Sequence, residues 1–445
     1  MTLPRVYQRD FQVLGILNAM AAIRPFQGLR YSAEAGPLGI LTAPPYDVIS
    51  EEERASFSTR SPHNIVHLTL PEQKADDRSK FIKYARSAAA MAEWRRDGTF
   101  LLEDRPAIYR YTQRFTLPHV GELTRTSIIA LIKTEPYENG VVLPHEQTFP
   151  KHKEDRLRIL EATRAHLESI FGLFEDANGH IHDAIVKSPV QGSVETVSDD
   201  GTYQRLEPIT EPGAVNHLIG LIADRKVWIA DGHHRYETAR TFREALGERD
   251  GLVAEDFMMI ALSSMSDPGL VLLPTHRVLT DIPVDPDTMM SRFGELFHIK
   301  ETHNTRLMEA IEHDHRSGRM AFGLALEGGD GYVLEAKDPE ALYAMVPAGQ
   351  SEDLRKLDVT ILHSVIFDKL LTVPGLETVK YTRDSHEAIT WVNEGDKAAF
   401  LMTPPTVDDM KRIALGGEKM PQKSTYYFPK ILSGLVLWSL NDFHP

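Results

Sequence analysis

Apolar positions recur along this chain with two periods, and each change of period marks an element. Over residues 76–97, Phe81, Tyr84, Ala88, Met91 and Trp94 fall three or four apart and Gly98 follows, a spacing that predicts a helix. Residues 64–70 alternate and predict a strand carrying His67. Ala107 to Leu117 and Arg125 to Thr134 predict a hairpin joined by His119-Val120-Gly121-Glu122. The run Val227 to Ala230 reads as a buried strand, Gly232 breaks it, and Tyr236 to Leu246 favours a helix that Gly247 stops. Phe257 to Ser264 reads as another buried strand.

Residues 176–212 are turn-rich and read as a β-rich excursion, with a short helix from Gly213 to Asp224. From about Asp281 helices near 286–296 and 305–317 alternate with strands at 297–300, 320–326, 331–336 and 397–402. A long helix is expected near 351–371, with Asp358 and His363 as surface or helix-face residues. The pattern predicts an α+β fold with an additional C-terminal α/β unit. The expected division is an N-terminal extension over 1–19, a core over 20–280, and a unit over 281–445 whose last segment, 420–430, returns to the site.

Composition narrows the function. The 445 residues allow two or three domains, and the formal charge of −15 argues against a dedicated nucleic-acid binder or a membrane-surface protein. No apolar run reaches the roughly 18–20 residues of a membrane helix, and Asn18 interrupts the mildly apolar stretch 13–23, so a cytoplasmic chain is expected, with a signal peptide as the alternative. The absence of cysteine excludes disulfides, thiolate zinc sites and cysteine nucleophiles.

Three polar clusters carry the candidate chemistry. Asp231, Gly232, His233, His234 and Arg235 fall where a strand turns into a helix, and the N–H groups and dipole of a helix start suit phosphate. The alternative is a capped surface turn with Asp231 as N-cap. Adjacent histidines point apart, and no H-E-x-x-H spacing completes a metal site. The second cluster, 143–156, reads as a loop between prolines. In it Thr148, Lys151, Lys153 and Arg156 would receive phosphate oxygens, and His145 or Glu146 would move a proton or hold a metal; the alternative is a solvated connector. The third, Gln422, Lys423, Ser424 and Thr425, is a donor-rich terminal segment. Pro44-Pro45-Tyr46 would hold the Asp47 carboxylate rigidly just before a capping box at Ser50 and Glu53. Neither G-x-x-x-x-G-K-[ST] nor a G-x-G-x-x-G after a strand occurs.

The Asp231-to-Arg235 turn resembles the signature of the ParB/sulfiredoxin-like nucleotide-binding superfamily, in particular its free L-serine kinase branch. The wider chain resembles an uncharacterised bacterial and archaeal family, domain of unknown function 1015. That likeness rests on residues 23–30, 43–49, 143–148, 153–156, 229–238 and 420–426, and because it begins near Ile23 it implies Met20 as a candidate natural start. It implies a ParB/sulfiredoxin-like core, ATP or ADP with Mg²⁺ as cofactors, and a small-molecule acceptor. His233 stands where the sulfiredoxin turn carries its reactive cysteine, so that chemistry is excluded.

The resulting expectation is a nucleotide-dependent phosphotransferase on a small hydroxylated metabolite, free serine or O-phosphoserine. Gly232, His233, His234 and Arg235 would hold phosphates, Lys153 and Arg156 would neutralise the transferred group, and Asp47, Glu146 or Asp231 would take the proton or bind Mg²⁺. The kinase branch takes a glutamate from its N-terminal part, and no matching local motif occurs here. Two alternatives stand beside this reading: a ParB-like nucleotide-binding regulator and a metal-dependent phosphohydrolase.

Overall fold

The structure is a computed structural model that describes residues 21–444 apart from His119 and Phe149. The expected N-terminal extension and Met20 start lie outside the described residues. The chain forms two compact units: Met1–Leu143, Phe149–Gly269 and Lys430–Pro445 make the first, and Pro144–Thr148 with Leu270–Pro429 the second.

A nine-stranded sheet organises the first unit. Its strands are β1 (Ile23–Arg24), β2 (Ile108–Leu117), β3 (Gly121–Lys133), β4 (Val142–Leu143), β5 (Ile170–Phe174), β6 (Val194–Val197), β7 (Tyr203–Ile209), β8 (Val227–Asp231) and β9 (Phe257–Ser264). They lie in the order β4-β8-β5-β9-β3-β2-β7-β6, with β1 on β3. The predicted hairpin is β2–β3, in register from Tyr109 opposite Ile129 to Leu117 opposite Gly121. Only β4–β8 and β5–β9 pair in parallel. Strands β5 and β9 are buried along their whole length, which is why they read as continuous apolar runs rather than alternating ones.

The helices of this unit are α1 (Ile82–Arg96), α2 (Pro150–Thr163), α3 (His180–Lys187), α4 (Pro212–Ala223) and α5 (His233–Glu244). Ile181 and Ile185 of α3, Val215, Leu218 and Ile222 of α4, and Tyr236 and Ala239 of α5 close one core against the sheet. A second core joins Met91 and Trp94 of α1, Ile159 of α2 and Leu437.

Three local readings are corrected here. Residues 64–70 do not form a strand. Asn64 accepts a hydrogen bond from the Val66 amide at 3.0 Å, and a turn of helix, Val66–Thr69, follows with His67 on it. The 143–156 stretch is not one loop, because Pro150 opens α2, the first-turn place that its fixed φ favours, and Lys153 and Arg156 are helical. The turn-rich stretch 176–212 holds α3 as well as β6 and β7.

The second unit is built on a six-stranded antiparallel sheet in the order β11-β13-β12-β15-β10-β14. These are β10 (His276–Leu279), β11 (Phe297–His303), β12 (Ala321–Ala325), β13 (Asp330–Ala336), β14 (Val379–Thr382) and β15 (Ala398–Leu401). Helices α6 (Pro286–Leu296), α7 (Leu307–Arg316), α8 (Asp358–Ile361), α9 (Ser385–Asn393) and α10 (Val407–Leu415) belong to it. The single long helix expected over 351–371 is broken. Glu352–Arg355 and α8 are separate turns, and a π-helical segment, Leu362–Leu371, continues from α8. His363 is buried and stacked on Phe367 at 5.6 Å, not on the surface.

Candidate functional site

Strand β8 delivers Asp231 to the edge of the first unit's core through a register shift against β5 between Ile229 and Asp231. Gly232 follows with φ 91°, and a Cβ there would come within 2.6 Å of the Ile170 Cγ2. Both the dihedral and the space demand glycine. Helix α5 then starts at His233 with no side-chain cap at Gly232, and its first described turn bond runs from the Tyr236 amide to the Gly232 carbonyl at 3.0 Å. No acidic residue stands in that first turn. The N-cap role considered for Asp231 is therefore not what the turn uses.

Charge is gathered around the turn. The Asp231 carboxylate lies 3.3 Å from the Lys430 ammonium and 3.4 Å from the Arg235 guanidinium. Burial alone would raise its pKa, but Lys430, Arg235 and His233 outweigh that and hold it well below the usual carboxylate range, at about 2. Arg235 donates to the Ser169 carbonyl at 2.8 Å, and its Nε has no hydrogen-bond partner. Burial disfavours its charge, yet Glu168, Asp231 and Asp47 raise its pKa further.

Glu168 is buried and accepts from the Tyr46 amide and the Ser433 hydroxyl, both at 3.0 Å. Tyr46 in turn lies beneath the Arg156 guanidinium at 3.9 Å and near that of Arg235 at 5.9 Å. Asp47, exposed on the turn Tyr46–Val48, thus stands beside the group. A cavity of about 50 Å³ lies behind it, with Glu168, Arg235 and Thr238 in its lining.

The structure therefore brings Asp47, Arg156, Asp231, Gly232, His233, His234 and Arg235 into one neighbourhood of the first unit. His233 is buried and His234 half-buried. Lys153 is ion-paired with Glu237 of α5, while Arg156 is tied to Asp155 and to the Thr69 carbonyl at 2.8 Å. Glu168, Tyr46 and Lys430 were not found from the sequence. A polar pair, Glu168-Ser169, directly before the buried run of β5 was the available signal.

The remaining candidates assemble in the second unit. His145 is fully buried, and its Nε2 lies 2.7 Å from the Thr425 hydroxyl. Glu146 accepts from the Thr425 amide at 3.1 Å and from its hydroxyl at 3.0 Å. The Met420 amide donates to the His145 carbonyl at 2.7 Å, so the 144–148 and 420–425 segments form one structure. Ser424 is buried and donates to the Pro421 carbonyl. Lys423 takes a left-handed φ of 56°, which presents its carbonyl to Arg277 at 2.9 Å. Gln422 and Thr148 are half-buried. Among the described residues no three His, Asp or Glu side chains gather as metal ligands, and no helix is long and apolar enough to cross a membrane.

Among solved structures, the chain is similar to a free serine kinase variant in complex with ADP, with 13% identity over 67% of this chain and 87% of that one and a TM-score of 0.34. It is similar to a conserved hypothetical protein from Pyrococcus furiosus, with 14% identity over 71% and 97% and a TM-score of 0.35. It is also similar to SbnI from Staphylococcus aureus, with 10% identity over 68% and 85% and a TM-score of 0.30. No curated protein matches the chain. A family model described as "Protein of unknown function (DUF1015)" matches residues 23–360, most of the sequence, and the chain belongs to that family.

Proposed function

We propose that the protein is a nucleotide-dependent phosphotransferase, with the turn at Asp231–Arg235 as its phosphate site. The observation that carries this is the start of α5 directly after the left-handed Gly232 at the end of β8, flanked by Lys430 and Arg235. The 50 Å³ cavity behind the turn is far below the roughly 300 Å³ of a ligand pocket, so phosphates would lie on the open side of the turn. A nucleotide would supply the phosphoryl group there. The likeness of this turn to the free L-serine kinase branch names the acceptor, serine or O-phosphoserine in reverse.

Roles follow from the electrostatics. Asp231, held at about 2 by its cations, is ionised at neutral pH but too weak a base to take a hydroxyl proton; it anchors the turn. Asp47, exposed beside Arg235, is the candidate proton acceptor within this unit. Mg²⁺ is usually held by one or two carboxylates together with phosphates and waters, and Asp47 and Asp231, both charges acting on Arg235, would supply those carboxylates.

The test is a thermal-shift screen with ATP, ADP, CTP, pyrophosphate, serine and phosphoserine, with and without Mg²⁺, on wild type and His234→Ala. A ligand at about 100 times its Kd adds roughly 2.7 kcal/mol to stability. Stabilisation by ATP or ADP that His234→Ala loses, followed by phosphoserine formation from serine, supports the reading. A response to CTP alone turns it toward a ParB-like regulator, phosphate release without an acceptor turns it toward a hydrolase, and no nucleotide response ends it.

A further inference from the structure

The second unit contains its own cavity, of about 170 Å³, with Arg277, Asp358, Thr403, His315, Lys356 and Arg412 in its lining. At about 30 Å³ per water that is room for several waters, and it falls well short of a nucleoside pocket.

Arg277, on β10, is 1% exposed. Its guanidinium donates to the carbonyls of Thr275 and Lys423 and touches the Met402 sulfur at 3.4 Å, and its Nε has no partner. Among the described residues no carboxylate lies within 4.0 Å of it. Burial lowers its pKa only to about 10, so the cation persists at neutral pH. The other cations of the cavity are already paired: Lys356 with Glu352, and Arg412 with Asp353 and Asp409. Glu146 acts on Arg277 only from beyond ion-pair distance and the Tyr381 ring lies at 5.7 Å, so the cation is only partly compensated; a buried cation with no ion-paired carboxylate is costly, and an incoming anion would relieve that cost.

A second polar group shares the cavity. Asp358, the first residue of α8, accepts a long hydrogen bond of 3.5 Å from the Thr403 hydroxyl, which lies 3.4 Å from the His315 Nδ1. Burial pushes the Asp358 carboxyl up to about 6, against the opposing pull of His315 and Thr403. Such a carboxyl both donates and accepts near neutral pH. Asp358, read from the sequence as a surface or helix-face residue, is part of a cavity wall.

We propose that this cavity binds a small oxyanion, a phosphate monoester or carboxylate carrying a hydroxyl or amine, with Arg277 recognising the anion and Asp358 and Thr403 the hydroxyl or amine. The site lies wholly within the second unit, and its assignment does not depend on the nucleotide reading of the Asp231–Arg235 turn.

Titration calorimetry on the full chain tests it, with inorganic phosphate, O-phospho-L-serine and D-glycerate as probes. Wild type is expected to bind at least one probe at one site per chain, Arg277→Gln to weaken it at least 100-fold, and Arg277→Lys about 10-fold. Asp358→Asn should weaken phosphoserine or glycerate several-fold and leave inorganic phosphate alone. Preference for phosphoserine or for glycerate tells phosphate recognition from carboxylate recognition. The proposal is overturned if no probe binds wild type, or if folded Arg277→Gln binds as wild type does. Should Arg277→Gln fail to fold, Thr403→Val and Ser424→Ala take its place. A several-fold loss in either supports the site, and unchanged affinity in both overturns it.

Discussion

Replacing Lys430 by Met tests whether the charge cluster at the turn is energetically real. Asp231 is held at about 2 against an ordinary 3.8, which corresponds to roughly 2.5 kcal/mol of stabilisation by its surroundings, with Lys430 the largest favourable contributor. The sign follows from the lowered value. The contribution is complete above pH 3.8 and is lost as pH falls through 2. Removing Lys430 leaves a mostly buried carboxylate with Arg235 still beside it at 3.4 Å, so a loss of about 2–4 kcal/mol is expected at pH 7. Asp231→Asn in the Lys430→Met background should then cost much less than in wild type, giving a coupling of at least about 1 kcal/mol. Urea denaturation followed by tryptophan fluorescence suits the measurement, because Trp94, Trp228 and Trp438 all lie in the first unit. Additivity of the two substitutions to within about 0.3–0.5 kcal/mol would refute the argument.

Gly232→Ala should destabilise the first unit by about 2–4 kcal/mol, through the positive φ and the 2.6 Å approach to Ile170; Ile170→Ala in the same chain should recover only the steric part, and a neutral Gly232→Ala would show that the turn is not built as described. His166 and His276 are buried neutral, each lowered by burial from 6.5 to about 4, so stability present above pH 6.5 should fall by about 1.4 kcal/mol per pH unit for each histidine down to pH 4; a flat urea midpoint between pH 7 and 5 contradicts this. For Asp358 the raised value of about 6 has the opposite sign: stability is greatest below 3.8 and falls as pH rises to 6. Because the carboxyl opens partly on a cavity, screening reduces the nominal figure, and Asp358→Asn should gain about 1–2 kcal/mol at pH 7 and nothing at pH 3.5; an equal effect at both pH values rejects the assignment.

Local order carried most of what the sequence reveals about this fold. The β2–β3 hairpin, β8, β9 and α5 each rest on contiguous runs with a clear period and a glycine stop, and the structure has them where the pattern places them. The failures share a cause. Pro150 is a breaker in a strand or a helix interior but a good first residue of α2, and only the helix that follows decides between them. At 64–70 the side chain of Asn64 competes for the backbone and turns an alternating run into a helical turn. Glu168 and Lys430 reach the site through contacts with Tyr46, Ser433 and Asp231 that are far away in sequence, which no local period encodes.

The two buried arginines show why conspicuous motifs are an incomplete guide to ligand sites. Arg235 sits in the most recognisable pentapeptide of the chain, yet Glu168, Asp231 and Asp47 already compensate its charge, so much of what the motif contributes is a rigid, correctly turned start to α5. Arg277 lies outside the three polar clusters that the sequence singles out. The structure makes it both a residue of β10 and a buried cation answered chiefly by carbonyl oxygens and a sulfur. Carbonyl dipoles orient a guanidinium but do not neutralise it. Of the two arginines, Arg277 is the one with no ion-paired carboxylate, and Asp358 and Thr403 share its cavity.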